Sequence, residues 1–224
     1  MAYFVPDFHN PTGSLMDATT REQVVTAARR TGTILVVDET FRDLPFPDCD
    51  LLPPPMAAFD PSRVVSVGSM SKTFWGGLRV GWIRAAGSII QRLTAARATA
   101  DMAGSVLDQL VSLELLSCAD ETVRQRRSQL AAGSKVVIAA LDSELPTWQA
   151  TRPAGGASLW VRAPRPIATE IAMISPSLGV RIAPGPRFSP DGTMNSFIRL
   201  PFTRSAEEIR EGVARLAAAA RRFD

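Results

Sequence analysis

One of the two lysines in this 224-residue chain stands where an amine nucleophile could act. Of the 25 Lys and Arg residues, only Lys72 and Lys135 are lysines. Lys72 closes the run Ser-Met-Ser-Lys at residues 69–72, after an apolar run at residues 64–67 and before Gly-Gly-Leu-Arg at residues 76–79. A lysine amine can form an imine with a carbonyl compound, and serine and arginine side chains bind phosphate. Lys72 is therefore a candidate catalytic amine, with a solvated surface lysine as the alternative.

Three more polar residues follow runs that are typical of strands. Asn10 opens an Asn-Pro-Thr-Gly turn, and Asp38 and Glu39 follow the apolar run at residues 33–37. Ligands of open α/β sheets bind beyond the carboxyl ends of the strands, so we expect Asn10, Asp38 and Lys72 to face one crevice. An amide, a carboxylate, an amine and a phosphate-binding arginine would together suit an anionic heteroaromatic aldehyde. Taken singly, each group has an ordinary alternative as a turn residue, a helix cap or a surface ion pair.

The elements that must position these groups can be predicted from the sequence pattern. Strands and helices alternate through the first half, which predicts an α/β domain with a mostly parallel sheet. Six prolines between residues 44 and 62 indicate a loop, residues 87 to about 141 are helical with a break near Gly104, and short strands follow Pro146. We therefore expect two domains, residues 1–141 and 142–224. The predicted elements are strands at residues 3–5, 33–37, 64–67, 157–161 and 197–200, and helices at residues 18–30, capped near Thr19 and Thr20, and 206–222.

Composition excludes several classes of protein. A chain with 46% hydrophobic and 21% charged residues can bury a core, which excludes a disordered or fibrous protein. The net charge of +3 comes from scattered basic residues, so we expect no direct nucleic-acid binding. Cys49, Cys118 and the single histidine His9 have no zinc-site or disulfide spacing, so we predict no metal. Because the sequence shows neither a secretory leader nor a long apolar run, we expect a cytoplasmic protein without a membrane span.

The three motifs, in this order, resemble the class I/II aminotransferases, pyridoxal-phosphate-dependent enzymes of fold type I, and the resemblance covers nearly the whole chain. They are the Asn-Pro-Thr-Gly turn, an aspartate at a strand end, and Ser-x-Ser-Lys before Gly-Leu-Arg-x-Gly. The resemblance implies part of the cofactor-binding large domain, with a mostly parallel sheet, and a smaller α+β carboxyl-terminal domain. It implies these roles: Lys72 forms the Schiff base with pyridoxal 5'-phosphate, Asp38 pairs with the ring nitrogen, Asn10 donates to the ring oxygen, Ser69, Ser71 and Arg79 bind the phosphate, and Arg199 binds the substrate carboxylate.

Two features depart from the family pattern. Phe41 stands where most relatives have a tyrosine that hydrogen-bonds the cofactor oxygen. The family also has a segment before the Asn-Pro-Thr-Gly turn that carries a phosphate loop and a stacking aromatic residue, whereas this sequence starts shortly before the turn. We therefore expect about half of the cofactor pocket to be missing and cofactor binding by this chain alone to be weak.

The sequence of residues 38–41 and 69–79 is most similar to that of the aminotransferase-like domains of MocR-type regulators of the GntR family. In those regulators a winged helix-turn-helix module precedes this domain. No such module stands in this sequence, which predicts a truncated domain. Three hypotheses follow: a homodimeric aminotransferase acting on an amino acid and a keto acid, an effector domain that senses the cofactor or an amino acid, and a non-catalytic remnant. Phe41 in place of the family's tyrosine slightly favours the second hypothesis, the effector domain.

Overall fold

The computed structural model describes residues 1–49, 52–101 and 103–223, and the chain divides into two compact units. Unit 1 comprises Met1–His9 and Ser14–Arg127, and unit 2 comprises Asn10–Gly13 and the chain from Ser128 onward. The division after Arg127 lies inside the long helix α5 (Ala119–Glu144). The domain boundary after residue 141 lies near the carboxyl end of the same helix and stays a prediction.

Unit 1 contains a four-stranded sheet that confirms the predicted α/β class with mostly parallel pairing. Its strands lie in the order β1-β2-β3-β4; β1 and β2 pair parallel, as do β2 and β3, whereas β3 and β4 pair antiparallel. The strands are β1 (Ala2–Phe4), β2 (Leu35–Asp38), β3 (Val64–Ser69) and β4 (Gly81–Arg84). Parallel pairing brings the carboxyl ends of β1, β2 and β3 to one edge of the sheet.

The sequence analysis missed β4. All four of its residues are exposed, so no alternation of apolar and polar residues marks it as a strand. Its register depends on two glycines instead: a Cβ on Gly81 would lie 2.7 Å from the carbonyl oxygen of Gly68, and a Cβ on Gly68 would overlap the ring of Trp82. The two backbones can therefore approach this closely only because both positions are glycine.

Helix α1 (Ala18–Thr31) forms at the predicted residues and packs on the sheet, and its cap differs from the prediction. Asp17, and not Thr19 or Thr20, is the N-cap, and its carboxylate accepts a hydrogen bond from the backbone N–H of Thr20. Gly32 ends the helix in the left-handed conformation with φ 68°. The core beneath α1 is formed by Val25, Ala28, Leu35, Val37, Met56, Ala57 and Val64.

The remaining helical segments follow the prediction in outline. Between residues 44 and 62, apart from the undescribed Asp50 and Leu51, the structure has loop and one 3-10 turn at Met56–Ala58. The helical region breaks near Gly104, as predicted, and again at Cys118. Its helices are α3 (Gly87–Arg97), α4 (Val106–Ser117) and α5, and the short helix α2 (Met70–Thr73) precedes β4. Within the described ranges no helix is both long and apolar enough to cross a membrane, and no three His, Cys, Asp or Glu side chains form a metal site.

Unit 2 contains an antiparallel sheet in the order β5-β6-β8-β7. The predicted strands at 157–161 and 197–200 correspond to β6 and β8, and helix α7 buries Ile209, Val213 and Leu216 and begins with a capping box between Ser205 and Glu208. Helix α6 was not predicted because it has only seven residues. The elements are β5 (Gln149–Ala150), β6 (Ser158–Arg162), α6 (Ala168–Ile174), β7 (Ala183–Pro184), β8 (Phe197–Pro201) and α7 (Ala206–Ala220).

A buried carboxylate joins separate segments of unit 1. Asp7, with 0% of its surface exposed, accepts a hydrogen bond at 2.7 Å from Arg21 of α1, which is also 0% exposed. Arg42, in the loop after β2, donates to both oxygens of Asp7 at 3.2 and 3.3 Å. The other guanidinium donors reach backbone carbonyls, including those of Pro53 and Pro54. The charges are thus compensated and hydrogen-bonded, as burial of ionised groups requires.

We predict that Asp7→Asn lowers the free energy of unfolding of this chain by about 3–5 kcal/mol, because it leaves the buried Arg21 without its counter-charge. Urea denaturation followed by circular dichroism measures the change. Asp101→Asn is the matched control, since it breaks an exposed ion pair with Arg97 on α3 and should cost about 0–1 kcal/mol. Equal losses for the two variants would contradict a structural role of the buried pair.

Candidate functional site

Lys72 lies on the short helix that follows the central strand β3. The hydroxyl of Ser69, the last residue of β3, accepts a hydrogen bond from the backbone N–H of Ser71 at 3.1 Å and caps α2. Met70 and Thr73 are buried and anchor α2, whereas Lys72 is exposed. Its ammonium lies 6.0 Å from the ring centroid of Phe41. Among the described residues it makes no ion pair, so its amine is accessible to a ligand.

Ser71 and Arg79, two of the three predicted phosphate ligands, contact each other in unit 1. The Ser71 hydroxyl donates to the carbonyl oxygen of Leu78 at 2.8 Å and accepts from the guanidinium of Arg79 at 3.4 Å. The single hydroxyl proton of Ser71 is therefore engaged. In this arrangement Ser69 and Arg79 are left with donors for an anion, and Ser71 holds Arg79 in place.

Asp38 is the last residue of β2, and both of its carboxylate oxygens accept hydrogen bonds. Oδ1 accepts from the backbone N–H of Thr40 at 2.8 Å, and Oδ2 accepts from the phenol of Tyr3 at 2.6 Å. Partial burial of the phenol, this hydrogen bond and the charge of Asp38 raise the pKa of Tyr3 to about 12. The sequence analysis missed Tyr3; its position in a strand beside β2 was the available signal.

Glu39, the next residue, has different neighbours. Burial raises the pKa of its carboxyl, the negative charge of Asp7 raises it further, and Arg42, Ser66 and Arg84 oppose the shift. Its Oε1 is buried without a hydrogen-bond partner. Adjacent strand residues point to opposite faces, which explains why two consecutive carboxylates have separate environments.

In unit 2, Arg199 and Asn10 contact each other. Arg199 lies in β8 opposite Trp160 of β6 and Ala183 of β7, and its guanidinium donates to Oδ1 of Asn10 at 3.0 Å. Ile198 and Leu200 on either side are buried, so the strand alternation separates Arg199 from the apolar face. With Oδ1 engaged, the amide NH₂ of Asn10 is oriented as a donor.

An aromatic group supports Arg199. The guanidinium lies 5.2 Å from the ring centroid of Phe188, which meets Trp160 edge to face at 5.6 Å, and Trp160 stacks on Phe197 at 5.1 Å. No carboxylate of the described residues pairs with Arg199, and its buried Nε has no hydrogen-bond partner. An arginine held by an amide and an aromatic ring, with donors to spare, suits a carboxylate ligand. The sequence analysis missed Phe188, whose distance along the chain from Arg199 gives no periodic signal.

Each unit thus holds its own set of predicted site residues. Unit 1 contains Asp38, Ser69, Ser71, Lys72 and Arg79, and unit 2 contains Asn10 and Arg199. The first set combines a carboxylate, an unpaired amine and a hydroxyl–guanidinium pair; the second combines an amide and an arginine. The groups of unit 1 fit a phosphorylated aldehyde with a ring nitrogen. The groups of unit 2 fit an acidic substrate.

Comparison with known proteins gives one consistent family. The sequence profile described as Aminotransferase class I and II matches residues 4–216. An HTH-type transcriptional regulator of Bacillus subtilis is 30% identical over 223 residues, which cover 96% of this chain and 45% of the regulator. The 2-aminoadipate transaminase of Thermus thermophilus is 31% identical over 228 residues, covering 97% of this chain and 56% of that enzyme.

The fold comparison agrees. The crystal structure of α-aminoadipate aminotransferase from Thermus thermophilus, in complex with N-(5'-phosphopyridoxyl)-L-leucine, matches with a TM-score of 0.91 and 29% identity, over 99% of this chain and 58% of that one. The chain spans about half the length of the curated relatives it matches.

We predict that Glu39→Gln becomes progressively more stabilising, relative to the unsubstituted chain, as the pH rises from about 4 to 7. A carboxyl whose folded-state pKa is raised contributes stability below its unfolded pKa of about 4.3 and loses that contribution as the pH rises through the folded value. The glutamine does not titrate. Urea denaturation across this pH range measures the difference in the free energy of unfolding. The control is Glu22→Gln, at an exposed position of α1. A pH-independent difference for Glu39→Gln would refute the prediction.

Proposed function

Because the chain belongs to the aminotransferase class I and II family, we propose that it is a pyridoxal-phosphate-dependent aminotransferase-like protein that binds the cofactor through Lys72 and acts on an amino acid and a keto acid. One observation carries the assignment: the Lys72 ammonium makes no ion pair among the described residues and lies above Phe41, on the helix capped by Ser69.

Pyridoxal phosphate, when bound, supplies an aldehyde that condenses with amines and a ring that accepts electrons. In our proposal Lys72 holds the cofactor covalently and, once released by the incoming amino acid, moves the proton at the substrate Cα. Asp38 keeps the ring nitrogen protonated, which maintains the ring as an electron acceptor. Its two hydrogen bonds, from Thr40 and Tyr3, hold the carboxylate in one orientation.

The remaining residues would bind and orient. Ser69 and Arg79 are the proposed direct phosphate donors, and Ser71 supports Arg79 through the hydrogen bond at 3.4 Å. Asn10 would donate its amide NH₂ to the ring oxygen, which is supported by the engagement of its Oδ1 with Arg199. Arg199 would bind the substrate carboxylate with its planar fork. The homodimer and the cytoplasmic location implied by the resemblance stay predictions.

A second function has specific support. Among the relatives are HTH-type transcriptional regulators, which favours an effector domain that senses the cofactor or its amino-acid adduct. Phe41 also cannot donate a hydrogen bond where a tyrosine would. A panel of amino donors with a keto acid separates the two functions. Formation of a new amino acid and keto acid indicates an aminotransferase, whereas cofactor-dependent binding without product formation indicates a sensor.

We predict that the covalent cofactor adduct forms on Lys72 and not on Lys135. Both lysines are exposed, and only Lys72 lies on helix α2 directly after β3, near Ser69, Ser71 and Arg79 in the chain. Borohydride reduction in the presence of pyridoxal phosphate, followed by peptide mapping, locates the adduct. Lys135→Ala should keep the adduct and Lys72→Ala should lose it, whereas labelling of Lys135 or the amino terminus alone would show that the assignment is wrong.

We predict that Arg199→Lys reduces the preference of the cofactor-loaded chain for an amino acid over a simple amine of the same length, because a lysine keeps the charge and loses the bidentate geometry. The loss should be about tenfold, the size of one charge-assisted hydrogen bond. Spectral titration with both ligands measures it. Arg162→Lys, at an exposed position of β6, is the control. An unchanged preference with an intact fold would make Arg199 a structural residue.

A further inference from the structure

The phenol of Tyr3 is the only side-chain group among the described residues that donates a hydrogen bond to Asp38. β1 and β2 pair parallel with Tyr3 opposite Val36, and the phenol reaches along β2 to Oδ2 of Asp38 at 2.6 Å. The second donor, the backbone N–H of Thr40, lies two residues after Asp38 in the chain and bonds the other oxygen. Tyr3 is also the single tyrosine of the chain.

We propose that Tyr3 is a positioning residue for Asp38: its phenol fixes the rotation of the carboxylate, so that the carboxylate is oriented for the ring nitrogen of the cofactor. The proposal rests on the proposed function for its purpose. Its physical basis, the coupling of one phenol to one carboxylate, can be measured without the cofactor.

Two donors on different oxygens restrict a carboxylate more than one donor does. With Thr40 alone, the group can turn about the bond to its Cβ while it keeps one hydrogen bond. The Tyr3 bond comes from the neighbouring strand β1, so its direction is independent of the loop that carries Thr40. An ionised carboxylate has about four lone-pair sites, so two donors leave acceptor capacity for an N–H of a ring.

The exposure of Tyr3 argues against a packing role. The residue is 60% exposed and lies in the three-residue strand β1 at one end of the sheet order, so its ring contributes little to the core. Tyr3→Phe keeps the ring and removes only the hydroxyl. We therefore expect this variant to fold with nearly unchanged stability, which makes it a clean probe of the hydrogen bond.

The first arm of the test is a spectroscopic titration of the phenol in the cofactor-free chain. Because Tyr3 is the only tyrosine, phenolate absorbance reports this residue alone, and circular dichroism at each pH shows that the fold persists. Tyr3 should ionise near pH 12 in the unsubstituted chain and at a distinctly lower pH in Asp38→Asn, which removes the neighbouring charge and leaves the burial. Glu39→Gln should leave the titration unchanged. Identical titrations of the unsubstituted chain and Asp38→Asn would overturn the proposal.

The second arm is a double-mutant cycle on affinity for pyridoxal phosphate. Tyr3→Phe should weaken binding about fivefold in the presence of Asp38 and have no further effect in the Asp38→Asn background, because the phenol then has no carboxylate to orient. Equal effects of Tyr3→Phe in both backgrounds would show that Tyr3 acts independently of Asp38 and would overturn its role as a positioning residue. If the unsubstituted chain binds no cofactor, the proposed function is wrong, and the phenol titration still decides whether Tyr3 and Asp38 are coupled.

Discussion

The buried charge of Asp7 is the constraint on which the geometry of unit 1 depends. An ionised carboxylate without exposed surface is tolerated only when opposite charges and hydrogen bonds surround it, and Arg21 and Arg42 supply both. The two arginines come from α1 and from the loop after β2, and they also bond the carbonyls of the proline-rich loop. Segments without regular structure are thereby held against the helix, since the loss of any one would leave a buried charge unpaired.

This constraint extends to the candidate site through the loop that Arg42 anchors. Asp38 ends β2, four residues before Arg42, and Phe41 lies on the loop directly before Arg42. Phe41 is the ring beneath the Lys72 ammonium. On the other side, the parallel pairing of β2 and β3 sets Asp38 opposite Val67, two residues before Ser69. The sheet register and the buried ion pairs thus fix the carboxylate and the amine from two directions, which gives the rigid placement that a cofactor-binding site requires.

The parts of the fold with a periodic or compositional signal could be predicted from the sequence. The β-branched run before Asp38, the apolar run before Ser69 and the helix that ends at Gly32 all gave elements close to those observed. β4 could not be predicted, because its register depends on two glycines and not on buried side chains. The partners of the site residues were also out of reach: the contacts of Tyr3 with Asp38, of Phe188 with Arg199 and of Asp7 with Arg21 join residues whose types and spacing carry no local pattern. Only the register of the strands and the closure of the loops bring them together.

A spectral titration of the chain with pyridoxal phosphate tests whether helix α2 presents a reactive amine to the cofactor. We expect an absorbance band of lysine-bound cofactor that is distinct from free pyridoxal phosphate, that persists in Lys135→Ala and that is lost in Lys72→Ala. Spectra that equal those of the free cofactor for the unsubstituted chain, or a band that survives unchanged in Lys72→Ala, would contradict it.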